Sequence, residues 1–521
     1  MGFQRTISPL GLLLAGIGSI IGSGWLFGPL FAAQIAGPAA IISWVIGGLM
    51  MIIIALTFAE LGTAFPVAGG MVQYAQYSHG PLISFMTGWM VWISSVAVAP
   101  VETMGMMHYA ANYIPGLVTK VDNVTVLTYT GIGVGSVVML FMCLLNYHGA
   151  RFFSRSNIVI TAIKLIVPIA TFIILFCVDF HFSNFHAPES GGFAPYGWHG
   201  ILAVLPLGGV IYSYIGANTV LQLAGETKNP QFSIPLAIIG SVVFCIVLYV
   251  FLQVAFVGAL DPSTLTEGWK QLHYAGDSGP FAGLLAAMGL GWFVIILYGD
   301  ALISPFGTGF IYTASTARVN YGLSKIGFFP ESQQVLSRHR VPTRGLILNY
   351  FIGLLLFLPF PGWQEMVSFI ISCFIISYIV GPIALIGLRK AQPDHPRPFR
   401  LPCATGVALL AFYACNLLIF WTGWVTVYRM MIAMGIGFLF FAYRCIREKN
   451  NLWGEQWKTS WWIVPYVAGI SVISYLGTFG KGIEFIPFGW DFVVIGLFTI
   501  VTFFLALKLC RKDSLSQFLV S

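Results

Sequence analysis

Three ionisable residues, Glu102, Lys164 and Asp300, stand inside long apolar runs. A charge at the centre of a bilayer costs about 2.5–3.5 kcal/mol on insertion scales, so each is a functional candidate by default. Lys164 sits in Thr161-Ala162-Ile163-Lys164-Leu165-Ile166-Val167-Pro168. A buried lysine readily changes its protonation state; the competing reading is a lysine that snorkels to the nearby interface. Glu102 follows Pro100-Val101 and has three readings. It is a carboxyl that carries a proton, an ionised group that binds a cationic substrate, or a residue near the end of a long helix. Asp300, with the Ser304 hydroxyl one turn later, reads as a partner for Lys164, through either a shared proton or a static ion pair. Glu60, Glu226 and Arg318 fall at the ends of apolar runs. They read as structural anchors of a gate, with Arg318 pairing one of the two glutamates. His108, two turns after Glu102, reads as packing.

The chain that must position these groups has 521 residues, of which 8% are charged and 58% hydrophobic, with a mean hydropathy of +0.86. Soluble domains are about 25% charged, so a soluble enzyme or binding module is excluded, and so is disorder. Apolar stretches long enough for membrane helices recur along the chain, without the alternation of a membrane β-barrel. Fourteen spans are predicted, among them 9–34, 38–59, 81–113, 157–178, 200–222 and 281–316. Lys164 then lies about seven residues into its span, Glu102 about 21 and Asp300 about 19. That depth places Asp300 in the inner half, the same half as Lys164. With the N-terminus inside, 20 of the 25 Lys and Arg residues fall on the cytoplasmic side. The positive-inside rule therefore puts both termini in the cytoplasm of a multi-pass inner-membrane protein. The net charge of +7 belongs to these loops and implies no nucleic acid. The first apolar run is too long for a cleaved signal peptide and more spans follow it. Eight cysteines without a CxxC pair read as small buried hydrophobes, and no metal is expected. HExxH, GxSxG and Walker sequences are missing, so an enzyme is not expected.

Two spans carry clusters that break a helix. The first is Gly16-Ile17-Gly18-Ser19-Ile20-Ile21-Gly22-Ser23-Gly24-Trp25; the second runs from Pro206 through Gly208-Gly209, Tyr212-Ser213-Tyr214 and Gly216-Ala217-Asn218. Each glycine costs a helix about 1 kcal/mol relative to alanine. Close packing through small residues explains the first cluster equally well. The second lies five spans later, an odd offset that reverses direction. Interrupted helices at matching places in two inverted halves mark the binding site of a secondary transporter. Unwinding would free the N–H groups of Ser23 and Gly24 for a carboxylate. It would also free the carbonyls of Ile20, Ile21, Tyr212 and Tyr214 for an ammonium group. Both features together suit an α-amino acid. Trp25, Tyr212 and Tyr214 are aromatic candidates to close over it, or plain packing. No arginine lies in the middle of any span.

These breaks resemble those of the amino acid–polyamine–organocation (APC) superfamily. Shared motifs include Ala59-Glu60-Leu61-Gly62-Thr63-Ala64-Phe65-Pro66, Gly225-Glu226-Thr227-Lys228-Asn229-Pro230, Arg318-Val319-Asn320-Tyr321 and Arg397-Pro398-Phe399-Arg400-Leu401-Pro402. A resemblance over the full length, through Tyr77-Ser78-His79-Gly80, Leu290-Gly291-Trp292 and Trp421-Thr422-Gly423-Trp424, points to the bacterial proton-coupled symporters of aspartate and glutamate. It implies an all-α leucine-transporter-type fold. A ten-helix core would fill residues 1–400, with inverted repeats at about 9–178 and 200–388, and four peripheral helices would fill 401–521. It also implies that Lys164 takes the place of a sodium ion, and that the spans holding Lys164, Asp300 and the first break are neighbours. The expected partners are an amino acid, protons and the lipid bilayer; the driving force is the proton gradient, with no cofactor. No residue pattern assigns an oligomeric state. An amino-acid or polyamine exchanger of the same fold, with Glu102 and Asp300 binding a cation, is the alternative. A sensor that binds an amino acid without moving it is a remoter one.

Overall fold

Glycine and proline decide where the helices of this chain stop. The computed structural model describes residues 7–67, 70–121, 124–147, 150–186, 188–216, 218–222, 227–274, 276, 279–338, 341–360, 362–447 and 457–511. Helix α1 (Pro9–Ile20) starts on Ser8, whose hydroxyl accepts from the Gly11 N–H, with proline at its first turn. It ends where Ile21 turns extended, and α2 (Gly24–Ala36) resumes three residues later. A short 3-10 turn (Gly37–Ala39) leads to α3 (Ala40–Ala64). Next come α4 (Gly70–His79) and α5 (Pro81–Ala110), separated by Gly80 at φ +83°. A two-stranded antiparallel hairpin, β1 (Val118–Val121) and β2 (Val124–Leu127), adds a small exception to the expected all-helical chain. Helices α6 (Tyr129–Tyr147) and α7 (Ala150–Val178) complete the first half.

The second half opens with the other broken helix. Helix α8 (Gly197–Leu207) gives way to a 3-10 turn at Tyr212–Tyr214, then an extended Ile215, and a short α9 (Asn218–Gln222). The two pieces are bent by 54°. Then follow α10 (Pro230–Gly258), α11 (Pro280–Ala287), α12 (Gly291–Lys325), α13 (Thr343–Leu356), α14 (Trp363–Tyr378) and α15 (Val380–Ala391). The last four helices are α16 (Ala404–Trp421), α17 (Trp424–Arg447), α18 (Ile463–Leu476) and α19 (Trp490–Lys508).

Among the described residues, eleven helical segments are long and apolar enough to cross a membrane, or twelve with the bent pair. Fourteen spans are not reached by that measure. Helices α2 and α3 run together into one 41-residue apolar segment, and α1 and α13 are shorter than a full crossing. The core is the packing of α5 against α12 and α14, and of α10 against α1 and α3. Helix α16 packs on α3, α14 and α15, and α17 on α5 and α14. The last four helices therefore flank the bundle that holds the two breaks.

The two broken helices meet backbone to backbone. A Cβ on Gly216 would lie 2.6 Å from the Ser19 carbonyl oxygen and 2.8 Å from the Ile20 nitrogen, and Gly216 sits at φ +148°. Only glycine fits there. Ser19 Oγ bridges the contact, donating to the Gly216 carbonyl at 3.0 Å and lying 2.7 Å from Thr219 Oγ1.

Candidate functional site

Breaking the first helix frees both kinds of main-chain group, and the protein's own side chains take them. On the donor side, the Ser23 N–H donates to Glu102 Oε2 at 2.7 Å. The carboxylate thus sits at the N-terminal end of α2, where the helix dipole favours an anion. Its other oxygen, Oε1, accepts the Tyr212 hydroxyl at 2.6 Å. Tyr212 reaches it from the 3-10 turn of the second break, so one carboxylate ties the two breaks together. Gly22 makes room for this: a Cβ there would lie 2.5 Å from Glu102 Oε1. Trp363 Nε1 donates to Ser23 Oγ at 3.0 Å, and the Trp363 ring stands edge-on to Tyr212 and against Phe27 and Phe31. Glu102 and Ser23 are fully buried.

On the acceptor side, Lys164 Nζ donates to the carbonyls of Gly18 (2.9 Å) and Ile21 (2.7 Å) and to Thr308 Oγ1 (2.6 Å). Thr308 donates in turn to the Ile21 carbonyl at 2.9 Å. An ammonium group with three oxygen acceptors is a satisfied one. Lys164 is the fifteenth of the 29 residues of α7 and fully buried. It does not snorkel.

Several expectations change. Lys164 makes no ion pair with Asp300 or Ser304 among the described residues; the freed carbonyls of the broken helix hold it instead. Asp300 is the tenth of the 35 residues of α12, nearer the Tyr113 end of the molecule than the expected inner half. The apolar stretch before it folds as the separate α11, closed by Gly289 at φ +75°. Both Asp300 carboxylate oxygens and Ser304 Oγ are buried without a hydrogen-bond partner among the described residues. The Ile21 carbonyl is occupied by Lys164 and Thr308 rather than left for a substrate amine. Ile20 closes α1 against Gly216. Trp25 does not reach the Glu102 carboxylate; its ring packs 5.5 Å from Phe281. Tyr214 turns the other way from Tyr212, its hydroxyl donating to the Trp44 carbonyl at 2.9 Å and its ring meeting Trp44 and Tyr249. Gly24 packs against Ser213, a second close approach of the two breaks. His108 is buried beside Phe27.

The anchors at the Glu60 end also differ. Glu60 accepts Arg389 Nε at 2.8 Å and Nη2 at 2.5 Å, and the Leu401 N–H at 2.7 Å, with Arg397 Nε 3.6 Å away. Arg318 is exposed on α12 and does not join this cluster. Glu226 lies outside the described residues. Sequence reasoning missed Thr308, Trp363, Arg389 and Phe27. Only Thr308 carried a signal, through its place in Gly307-Thr308-Gly309 one turn beyond Ser304.

Two facing helix breaks deep in an apolar bundle, holding a buried carboxylate and a buried amine, are the architecture of a multi-pass secondary carrier. The chain belongs to the amino acid permease family, whose model matches residues 7–441. Curated relatives span nearly the whole chain. The glutamate/serine transporter AimA of Bacillus subtilis is 40% identical over 515 residues, covering 97% of this chain and 94% of the relative. The aspartate-proton symporter of the same organism is 32% identical over 511 residues, covering 97% and 96%. Its branched-chain amino acid permease BcaP is 26% identical over 460 residues, covering 86% and 95%. The protein is a transporter and not an enzyme.

Proposed function

We propose that this chain is a proton-coupled symporter that imports α-amino acids, acidic ones favoured, across the cytoplasmic membrane. The observation that carries this reading is the Glu102 carboxylate on the Ser23 N–H. That donor, at the start of the second half-helix, is where the carboxylate of an amino acid would bind. Substrate and Glu102 therefore compete for it. A second carboxylate enters only if Glu102 lets go, and protonation weakens its hold because charged hydrogen bonds are roughly twice as strong as neutral ones. Proton uptake then favours substrate binding, and by linkage substrate binding favours proton uptake. Lys164 supplies a cation at the carbonyls of the break, a role that needs no bound metal or cofactor. Relatives named for aspartate–proton symport and for glutamate and serine support the substrate class. Among the described residues Lys164 is the one buried Lys or Arg. A site without a dedicated cation for the side chain suits both an acidic and a small neutral amino acid.

We assign the Glu60 end and both termini to the cytoplasmic side, on the strength of the basic loops. We assign transport to residues 1–400, with 401–521 as a flanking support. The test is uptake of labelled glutamate, aspartate and serine into proteoliposomes, with and without a proton gradient. Uptake that needs the gradient supports symport. Uptake that needs internal amino acid and ignores the gradient replaces it with exchange, and binding without uptake replaces it with sensing. Lys164→Ala should abolish gradient-driven uptake, by on the order of 100-fold as for loss of a positioned proton-transfer group. Uptake that persists with an unchanged pH profile removes Lys164 from the coupling.

A further inference from the structure

Helix α12 carries Asp300, Ser304 and Thr308 at steps of four residues. Side chains so spaced stack on one face, one turn apart. All three are buried, Asp300 at 1% exposure. At one end of this ladder Thr308 Oγ1 lies 2.6 Å from Lys164 Nζ. In its middle and at its other end, neither Ser304 Oγ nor either Asp300 oxygen has a hydrogen-bond partner among the described residues. A buried ionised carboxylate without partners is too costly to be a structural filler; such a group holds a proton or passes one.

Aromatic rings lead from the far end of the ladder to the surface. Tyr109 stands buried at the end of α5. Its ring lies 5.7 Å from Tyr298, and Tyr298 lies 4.7 Å from Tyr113, which is 67% exposed. The titratable groups around the ladder are Lys164 on α7, Tyr109 on α5 and Tyr298 on α12 itself. Those that face Lys164 are Glu102 and Asp300.

We propose that Asp300, Ser304 and Thr308 are the route by which a proton entering at the Tyr113 end reaches Lys164. The proposal rests on the proton-coupled reading above. The Asp300 carboxyl O–H bond breaks and its proton moves to the Ser304 hydroxyl, which releases its own toward Thr308. Thr308 repeats the exchange, and the lone pair of the neutral Lys164 amine forms the new N–H bond. The carboxylate left behind is refilled from water at the Tyr113 end. Rungs one turn apart have Cβ atoms about 5–6 Å from each other, so water bridges each gap, as it does between buried polar groups elsewhere. The ammonium so formed grips the Gly18 and Ile21 carbonyls; the neutral amine loosens them. The route thus sets the state of the first break from a distance.

The test uses the full chain in proteoliposomes with a trapped pH-sensitive dye. Two signals are read, substrate-driven proton entry and substrate counterflow, which requires no net proton movement. Asp300→Asn should lower the ratio of proton entry to counterflow by on the order of 100-fold. Ser304→Ala should lower it less, and Ser304→Thr, which keeps the hydroxyl, should restore it. A wild-type ratio in both Asp300→Asn and Ser304→Ala overturns the route. So does a loss in Ser304→Ala that Ser304→Thr does not repair, since that is a packing effect. Counterflow without any proton entry in the unmodified protein would sink the symport reading itself, a failure distinct from that of the route.

Discussion

Among the described residues two glutamates are buried, and they are held in opposite ways. Glu60 sits at one end of the bundle, gripped by both nitrogens of the Arg389 fork and by the Leu401 N–H, with Arg397 behind. Glu102 sits between the two broken helices, and its donors among the described residues are neutral, the Ser23 N–H and the Tyr212 hydroxyl. A carboxylate locked to guanidinium groups fixes geometry. A carboxylate held by neutral donors alone can exchange its proton and its partners. Burial alone does not separate an anchor from a switch; the charge of the partners does.

The most severe test of this contrast is Glu60→Ala. It leaves Arg389 and Arg397 without their anion, and breaking a buried pair costs about 3–5 kcal/mol. Thermal unfolding in detergent should show a large loss, with the pH profile of any remaining uptake unmoved. A changed pH profile would mean that the Glu60 cluster also takes part in coupling. Glu102→Gln should do the reverse. The amide keeps the shape and an acceptor for Ser23, so stability changes by about 1 kcal/mol, while the pH dependence of uptake flattens. An unaltered pH dependence removes Glu102 from the proton path. Tyr212→Phe is the mildest. It removes one donor to a charged group, worth about 1.5–3 kcal/mol, and protonation of the carboxyl becomes easier. The pH of half-maximal uptake should move upward by about one unit or more, since one unit is 1.36 kcal/mol. A downward move would reverse the assigned donor role of Tyr212.

Much of this site was legible in the residues, and what was missed has local causes. The glycine clusters around Gly22 and Gly216 marked both breaks, because a helix loses stability at every glycine it carries. Glu102 and Lys164 stood out through the cost of charge in an apolar run. Their partners did not. Which freed group turns toward which side chain depends on rotation about the helix axes, and glycine counts are silent on that. Tyr212 and Tyr214 show it plainly: two residues apart on a three-residue turn, they point to different neighbours. Thr308 and Trp363 are ordinary residues in a membrane helix until the fold brings them to Ile21 and Ser23. The depth of Asp300 was misread because the stretch 281–316 looked like one span, whereas Gly289 divides it. Arg389 was hidden among many basic residues at helix ends, and only the return of 392–402 toward α3 singles it out.

The contact between Gly216 and Ser19 has a mechanical consequence. No side chain lies between the two backbones there, so the joint has no cushion that could absorb a relative slide. Ser19 Oγ and the Glu102 carboxylate fasten the same pair of strands on either side of it. The broken segments are dovetailed, and a tilt of one is a tilt of both. Any movement of one broken segment would have to carry the other with it.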